Sequence, residues 1–184
     1  IINLINLKVG LVLKISKIFS YKSSGLDNYL HKRFHISNMT MYFDDFYEGY
    51  TFTTASKKLS KQNIISFAKK WDYQPFHLDE NKALESQYNG LIASGWQTLL
   101  IAFTLILDTK KIDKSSMGSP GLENVNWFIP VRPNDVLHCK ITVIYKRLSK
   151  SKKFGIVKIL VEILNQENKL VSNMKAIWML KVKK

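Results

Sequence analysis

The sequence predicts an α+β domain in which one long central helix is wrapped by a curved antiparallel sheet, and three observations predict it. From Leu91 to Leu107 no residue is charged. That run is too long for a typical strand, and Ser94, Gly95, Gln97 and Thr98 make it a poor membrane helix. A helix that is apolar on nearly every side has to be buried on nearly every side. The second half of the chain alternates apolar and polar residues with period two, as strands do. Helical spacing is confined to the segments before it, so helix and sheet are segregated along the chain.

The elements follow in order. Tyr50 to Lys57 reads as a first strand. Ser60 is a good helix N-cap, and Ile64, Phe67, Ala68 and Trp71 follow at helical spacing. That helix ends near Asp72, because Pro75 disfavours continuation. Asp79 caps a second, short helix from Glu80 to Ser86, and Asn89-Gly90 breaks the chain again just before the apolar helix. Val125, Trp127 and Ile129 give a strand ahead of Pro130. Leu137, Cys139, Ile141, Val143 and Tyr145 alternate with His138, Lys140 and Thr142 as a half-buried strand. Val157, Ile159, Val161 and Ile163 form one face of the next, with Lys158 and Glu162 on the other. Asn165 to Asn168 reads as a hairpin turn, and Met174, Ala176, Trp178 and Leu180 line the returning strand.

A chain of 184 residues suffices for one domain with a sizeable core. Its single cysteine, Cys139, excludes an intrachain disulfide, no Cys/His spacing resembles a zinc site, and a reducing, cytoplasmic setting fits. The net charge of +14 raises the question of nucleic acid. Arginine, the usual reader of phosphates and base edges, occurs only at Arg33, Arg132 and Arg147. The remaining positive charge is lysine, in company with abundant Ile and Asn, as an A/T-rich coding sequence gives. Nucleic acid is therefore not the expected partner.

Residues 1–40 read differently from the rest. They lack clear periodicity, and Lys8, Lys14 and Lys17 interrupt the apolar run too often for a membrane span. They are expected to be a disordered extension or the product of an upstream start, with initiation at Met39 or Met41. A signal peptide and a basic amphipathic anchor are the other readings. The folded domain is placed at residues 41–184.

Chemistry concentrates between the predicted helices. Asp72 and His77 stand five residues apart with Pro75 between them, and a proline-stiffened loop can aim both side chains into one cleft. A water between them would be open to general acid–base activation, with imidazole the natural base near neutral pH. The alternative is that Asp72 finishes a helix and His77 is packed. Asn89-Gly90 precedes the apolar helix, whose first N–H groups carry partial positive charge. Glycine lets a ligand approach the backbone closely, which suits a thioester carbonyl becoming an enolate. A simple tight turn is the other reading. Ser94 stands near the helix start, where it can contact substrate or pack.

The segment Asp72-Tyr-Gln-Pro-Phe-His77-Leu-Asp79, followed by Tyr88-Asn-Gly-Leu-Ile-Ala-Ser-Gly-Trp96, resembles the MaoC-like dehydratases, which include (R)-specific enoyl-CoA hydratases. The later Gly118-Ser-Pro-Gly121 and Trp127-Phe-Ile-Pro-Val-Arg-Pro-Asn-Asp135 are similar to that family's linker and strand–turn. The resemblance runs from about Phe43 to the C-terminus. It implies a single hot-dog domain, paired as a homodimer or higher homo-oligomer. It implies Asp72 and His77 as the catalytic pair and the Gly90 N–H as oxyanion donor; Gln74 and Ser94, by their places in the loop and at the helix start, are further candidates for contact with the substrate. The reaction would be reversible hydration of a 2-enoyl thioester to a 3-hydroxyacyl thioester. The partner would be an acyl-CoA or acyl-carrier-protein thioester, coenzyme A being part of the substrate, with no metal or redox cofactor. Four positions depart from the family. Lys70-Trp71 replaces a small residue and Gly, Gln74 replaces Asn, and Asn89 replaces the His found in many hydratases. The larger amide at Gln74 is expected to shift the water, and Trp71 to narrow the acyl pocket. A hot-dog thioesterase and a non-catalytic acyl-thioester binding module are the competing readings.

Overall fold

The computed structural model describes residues 40–184, so the extension expected over residues 1–40 lies, apart from Thr40, outside the described residues. After a short 3-10 turn at Phe43–Asp45 come β1 (Thr51–Thr53), β2 (Lys57–Lys58), α1 (Lys61–Trp71), α2 (Pro75–Leu78), α3 (Glu80–Leu84) and α4 (Gly95–Asp108). Then follow β3 (Gly121–Trp127), β4 (Val136–Leu148), β5 (Phe154–Leu164) and β6 (Leu170–Lys181). The strands are antiparallel in the order β1-β4-β5-β6-β3, with β2 also paired to β4. One helix against one antiparallel sheet is the expected hot-dog arrangement. Among the described residues no helix is long and apolar enough to cross a membrane.

Burial sets the strand register. Leu137, Cys139, Ile141 and Val143 of β4, Val157, Ile159, Val161 and Ile163 of β5, and Met174, Ala176, Trp178 and Leu180 of β6 all point into one core. Burying one such aliphatic side chain contributes about 1.5–3 kcal/mol. The whole scale of strand propensity spans only about 1 kcal/mol, and a one-residue slip would turn every one of these side chains to solvent. The turn between β5 and β6 is closed by Asn168 N–H donating to Asn165 O at 3.0 Å, with Asn168 at φ 58°.

Several expected elements take a different form. The strand expected from Tyr50 to Lys57 is split into β1 and β2. Cys139 N–H donates to Thr54 Oγ1 at 3.0 Å, so a side chain replaces the backbone acceptor and ends the ladder. Tyr145 leaves the apolar face of β4, because the register with β5 shifts between Val143 and Tyr145. Ile129 lies beyond the end of β3. On α1, Ile64 and Ala68 are buried, but Trp71 is 65% exposed at the last turn, where no element packs over it. One further helix, α2, follows Gln74, with Pro75 at its first position, where the missing N–H costs nothing.

The long apolar helix differs in two ways. It starts at Gly95 rather than near Leu91, because Ile92 N–H donates to Phe76 O and Ala93 N–H to Val131 O. Those bonds keep residues 91–94 out of the helix. It is also not enclosed on all sides. Leu99, Ala102, Leu105 and Ile106 face the sheet, whereas Trp96, Leu100, Phe103 and Leu107 stand on an exposed face. The sheet touches one side of the helix and leaves the other uncovered.

Candidate functional site

Three short elements meet in front of the α4 N-terminus. Ser60 caps α1 by accepting from Asn63 N–H, and the helix delivers Asp72 as its C-cap. The single turn of α2 then reverses the chain and brings His77 back. His77 Nε2 lies 3.4 Å from Asp72 Oδ2. His77 is buried, and its Nδ1 is 2.8 Å from Ile92 O. A carbonyl only accepts, so Nδ1 carries the proton, and in neutral His77 the lone pair on Nε2 faces the carboxylate. Phe76, packed edge-on to His77 with centroids 4.5 Å apart, and Tyr88, 4.9 Å from Phe76, support the ring.

The Asp72 carboxyl is kept below its ordinary value. Burial works against ionisation, but hydrogen bonds from the Ser94 hydroxyl and the Gln74 side chain, the proximity of His77 and the Gln74 backbone outweigh it. Gln74 Nε2 donates to Asp72 Oδ1 at 2.9 Å. When His77 is neutral, its Nε2 and the Asp72 carboxylate are two acceptors 3.4 Å apart. A water in front of them can give one hydrogen to each.

This pair opens on a cleft of about 420 Å³. Its polar end is Asp72, Gln74, His77 and Thr98, and its apolar wall runs through Phe76, Trp96, Trp127, Phe128, Ile129 and Val171. That shape and lining suit a small molecule with an apolar body and one reactive polar end. The sequence brings Asp72, His77 and Gln74 together as expected. Ser94 is fully buried and is not among the cleft-lining residues, although its neighbours Ala93 and Gly95 are. Trp71 does not line the cleft, so it does not narrow it.

The expected role of Gly90 is corrected. Its N–H donates to Ala83 O at 2.9 Å and is not free for a carbonyl. The helix whose dipole was to assist it begins five residues later, at Gly95. Glycine is required there for another reason: φ is 132°, and a Cβ would lie 3.1 Å from Arg132 Nη1. Arg132 Nη2 donates to Tyr88 O at 2.6 Å, so the guanidinium clasps the turn that Gly90 completes. Trp127 was expected only as a strand residue. Its role as a wall depends on a register shift in β3 between Glu123 and Asn126, which no sequence period announces.

Other reactive groups lie elsewhere. Burial pushes the Cys139 thiol up to about 12, against the effect of Thr54, so it is an inert core residue. His138 sits on β4, paired with Leu164 and away from the cleft. Among the described residues no group of three or more His, Cys, Asp or Glu side chains is placed to hold a metal ion.

Residues 47–163 match the family model described as the MaoC like domain. The chain is 35% identical over 127 residues to the "Uncharacterized protein YdeM" of Bacillus subtilis (strain 168), a match covering 69% of this chain and 89% of the relative. The crystal structure of the MaoC-like dehydratase from Rhodospirillum rubrum is similar with a TM-score of 0.72 and 33% identity, over 78% of this chain and 99% of that one. The R-hydratase PhaJ1 from Pseudomonas aeruginosa is similar with a TM-score of 0.61 and 20% identity, over 78% of this chain and 88% of its own, a likeness of fold.

Proposed function

The chain belongs to the MaoC-like dehydratase family, and from that premise we propose that it is a hydro-lyase adding water to a trans-2-enoyl thioester carried on coenzyme A, and removing it in reverse. One observation carries this reading: Asp72 Oδ2 and His77 Nε2 stand 3.4 Å apart at the polar end of an otherwise apolar cleft.

In the hydration direction, one water gives a hydrogen bond to Asp72 and another to His77. Nε2 takes a proton as the water oxygen bonds to C3 of the enoyl group. The electron pair of the C2–C3 double bond moves toward the thioester oxygen, forming an enolate. Nε2 then returns its proton to C2, so that OH stands on C3 and H on C2. Dehydration is the same path reversed. Asp72 steadies the imidazolium between the two proton transfers.

The enolate oxygen needs a donor that is free in the cleft. Gly95 lines the cleft at the first position of α4, and its N–H has no acceptor among the described residues. It takes the part of oxyanion donor, aided by the positive end of the helix. The steps call for no metal or redox cofactor, and coenzyme A enters as part of the substrate.

A second copy of the chain is the proposed partner. The exposed face of α4 presents Trp96, Leu100, Phe103 and Leu107, and β3 is an open edge of the sheet. Large apolar side chains on one face mark an interaction surface, and Trp96 and Trp127 carry that surface up to the cleft.

The test is a panel of trans-2-enoyl-CoA substrates, following loss of the ultraviolet band of the conjugated thioester. Loss of that band without release of free thiol is the expected result. Thiol release at the same rate would make the chain a thioesterase, and saturable binding with neither signal would make it a binding module.

A further inference from the structure

We propose that the end of the fold remote from the cleft is a docking surface for an anionic lipid bilayer. None of its residues lines the cleft, so the surface stands apart from the hydration reading above.

Three segments meet at that end. Strands β4 and β5 turn into one another there, with Leu148 paired to Gly155. Lys181, the last residue of β6, pairs with Phe154 at the start of β5. Lys181 N–H also donates to Ser115 O at 2.8 Å, and its Nζ to Lys114 O at 3.0 Å, which sets the loop after α4 beside both strands. The cleft is at the other end of α4. Gly95 opens the helix at the cleft and Asp108 closes it near this loop, a length of 14 residues, or roughly 20 Å.

Positive charge collects at the remote end. Residues 109–117, 146–154 and 181–184 hold eleven of the 22 Lys and Arg residues in the described part of the chain. Asp44, Asp45 and Glu48 lie against Lys183 and Lys146 on the same end. With these acids, Asp108 and Asp113 set against it, the end still carries +6 of the +9 of residues 40–184. A lysine-rich composition accounts for the number of these residues but not for their segregation. At the hairpin tip, Lys150, Lys152 and Lys153 are exposed and belong to no ion pair among the described residues.

The kind of charge and its neighbours select the partner. Arg147 is the one arginine in these three segments, so the surface lacks the forks that grip nucleic-acid phosphates. Exposed apolar side chains stand among the lysines: Tyr145 and Leu148 on β4, Tyr47 before β1 and Met117 after α4. That mixture suits the boundary of a bilayer, where apolar groups enter between headgroups and lysines meet anionic lipid. A carrier protein fits this end poorly, because its acyl group would have to travel the length of α4 to reach the cleft.

The test is cosedimentation of the whole chain with vesicles of phosphatidylcholine alone and of phosphatidylcholine with phosphatidylglycerol. The wild type is expected to bind only the anionic vesicles and to leave them as salt is raised, because screening weakens the attraction. Lys150→Glu, Lys153→Glu and Lys184→Glu in one chain should weaken binding by about 100-fold or more, each lysine near an anionic surface being worth roughly fivefold. A control chain with Lys57→Glu, Lys58→Glu and Lys82→Glu has the same net charge, altered on β2 and α3, and should bind nearly as the wild type does. All six side chains are exposed, so both variants should keep the wild-type circular dichroism. Equal losses in the two variants would show a response to net charge alone and overturn the docking surface. Undiminished vesicle binding by the first variant would lodge the contact in residues 1–39 or elsewhere and overturn it as well, and a loss of affinity for an acidic acyl carrier protein in that variant would make the surface a protein-docking site instead. A wild type that binds neither vesicle, or both equally, would also overturn it.

Discussion

Trp127 Nε1 donates to Gly95 O at 3.1 Å, and a Cβ added at Gly95 would stand 2.7 Å from the same indole. Strand β3 and helix α4 therefore meet at a contact that only glycine permits, and the ring held there forms part of the cleft wall. Gly95→Ala should push the indole aside and impair enoyl-thioester turnover more than it lowers Tm. Trp127→Ala in the same chain should relieve the clash. A double-mutant cycle on Tm and kcat/KM is expected to give a coupling of about 0.5–3 kcal/mol between the two positions. Additive effects would show that the ring and the glycine are independent.

Gly90 should behave in the opposite way. A side chain there meets an unfavourable φ and the Arg132 guanidinium, but it leaves the cleft lining untouched. Gly90→Ala is expected to cost roughly 1–3 kcal/mol of stability, the scale of a residue held in a sparsely populated backbone region. Turnover per folded molecule should stay near the wild-type value. Measuring Tm and turnover on one preparation decides the matter. A 100-fold rate loss at unchanged Tm would return Gly90 to the oxyanion site.

What the sequence made legible follows from local rules. The faces of β4, β5 and β6, the Ser60 and Asp79 caps, and the end of α1 at Asp72 each depend on a few neighbouring residues and a fixed period. Asp72, Gln74 and His77 lie within six positions, so the loop chemistry that joins them could also be read directly. Errors arose where distant backbone groups compete. The start of α4 is set by Phe76 O and Val131 O taking the N–H groups of Ile92 and Ala93. The purpose of Gly90 is set by Arg132, more than forty positions away in the chain. The apolar run from Leu91 to Leu107 showed that the helix needs cover but not that the chain itself covers only one side.

The uncovered side gives a prediction about assembly. Leu100 and Phe103 sit near the middle of the exposed face of α4, each 52% exposed. A charge placed there cannot be buried without a large penalty. Leu100→Lys and Phe103→Glu should each weaken self-association by on the order of 2 kcal/mol, as central interface positions do. Light scattering should find the wild type at a multiple of the 21.3 kDa chain and the double variant at the chain mass. A monomeric wild type would rule out the second copy as the cover for this face.

The catalytic pair can be tested by replacing each member in turn. Asp72→Asn and His77→Gln are each expected to lower kcat/KM by roughly 100-fold or more, the range for losing a general acid or base. Far-ultraviolet circular dichroism should remain that of the wild type, since both replacements keep nearly the same volume. Near-normal turnover by either purified variant would remove that residue from the mechanism.

The same carboxylate links stability to pH, with a definite sign. The folded chain holds Asp72 below its ordinary value of 3.8, so folding favours the ionised form. The resulting contribution is fully present above 3.8. It is lost as pH falls through the lower, folded-state value, where protonation removes the charge that Gln74, Ser94 and His77 stabilise. Other carboxylates titrate in the same range, so the quantity to measure is a difference. Urea midpoints of the wild type and of Asp72→Asn should be compared from about pH 7 to about pH 3. The wild-type advantage should be level across the neutral and mildly acidic range and shrink only below the ordinary carboxylate value. An advantage that grew as the solution became more acidic would mean that the folded state binds the proton at Asp72 more tightly than the unfolded chain does. Asp72 would then be held as an acid, and the water would have to be activated from the other side of the pair.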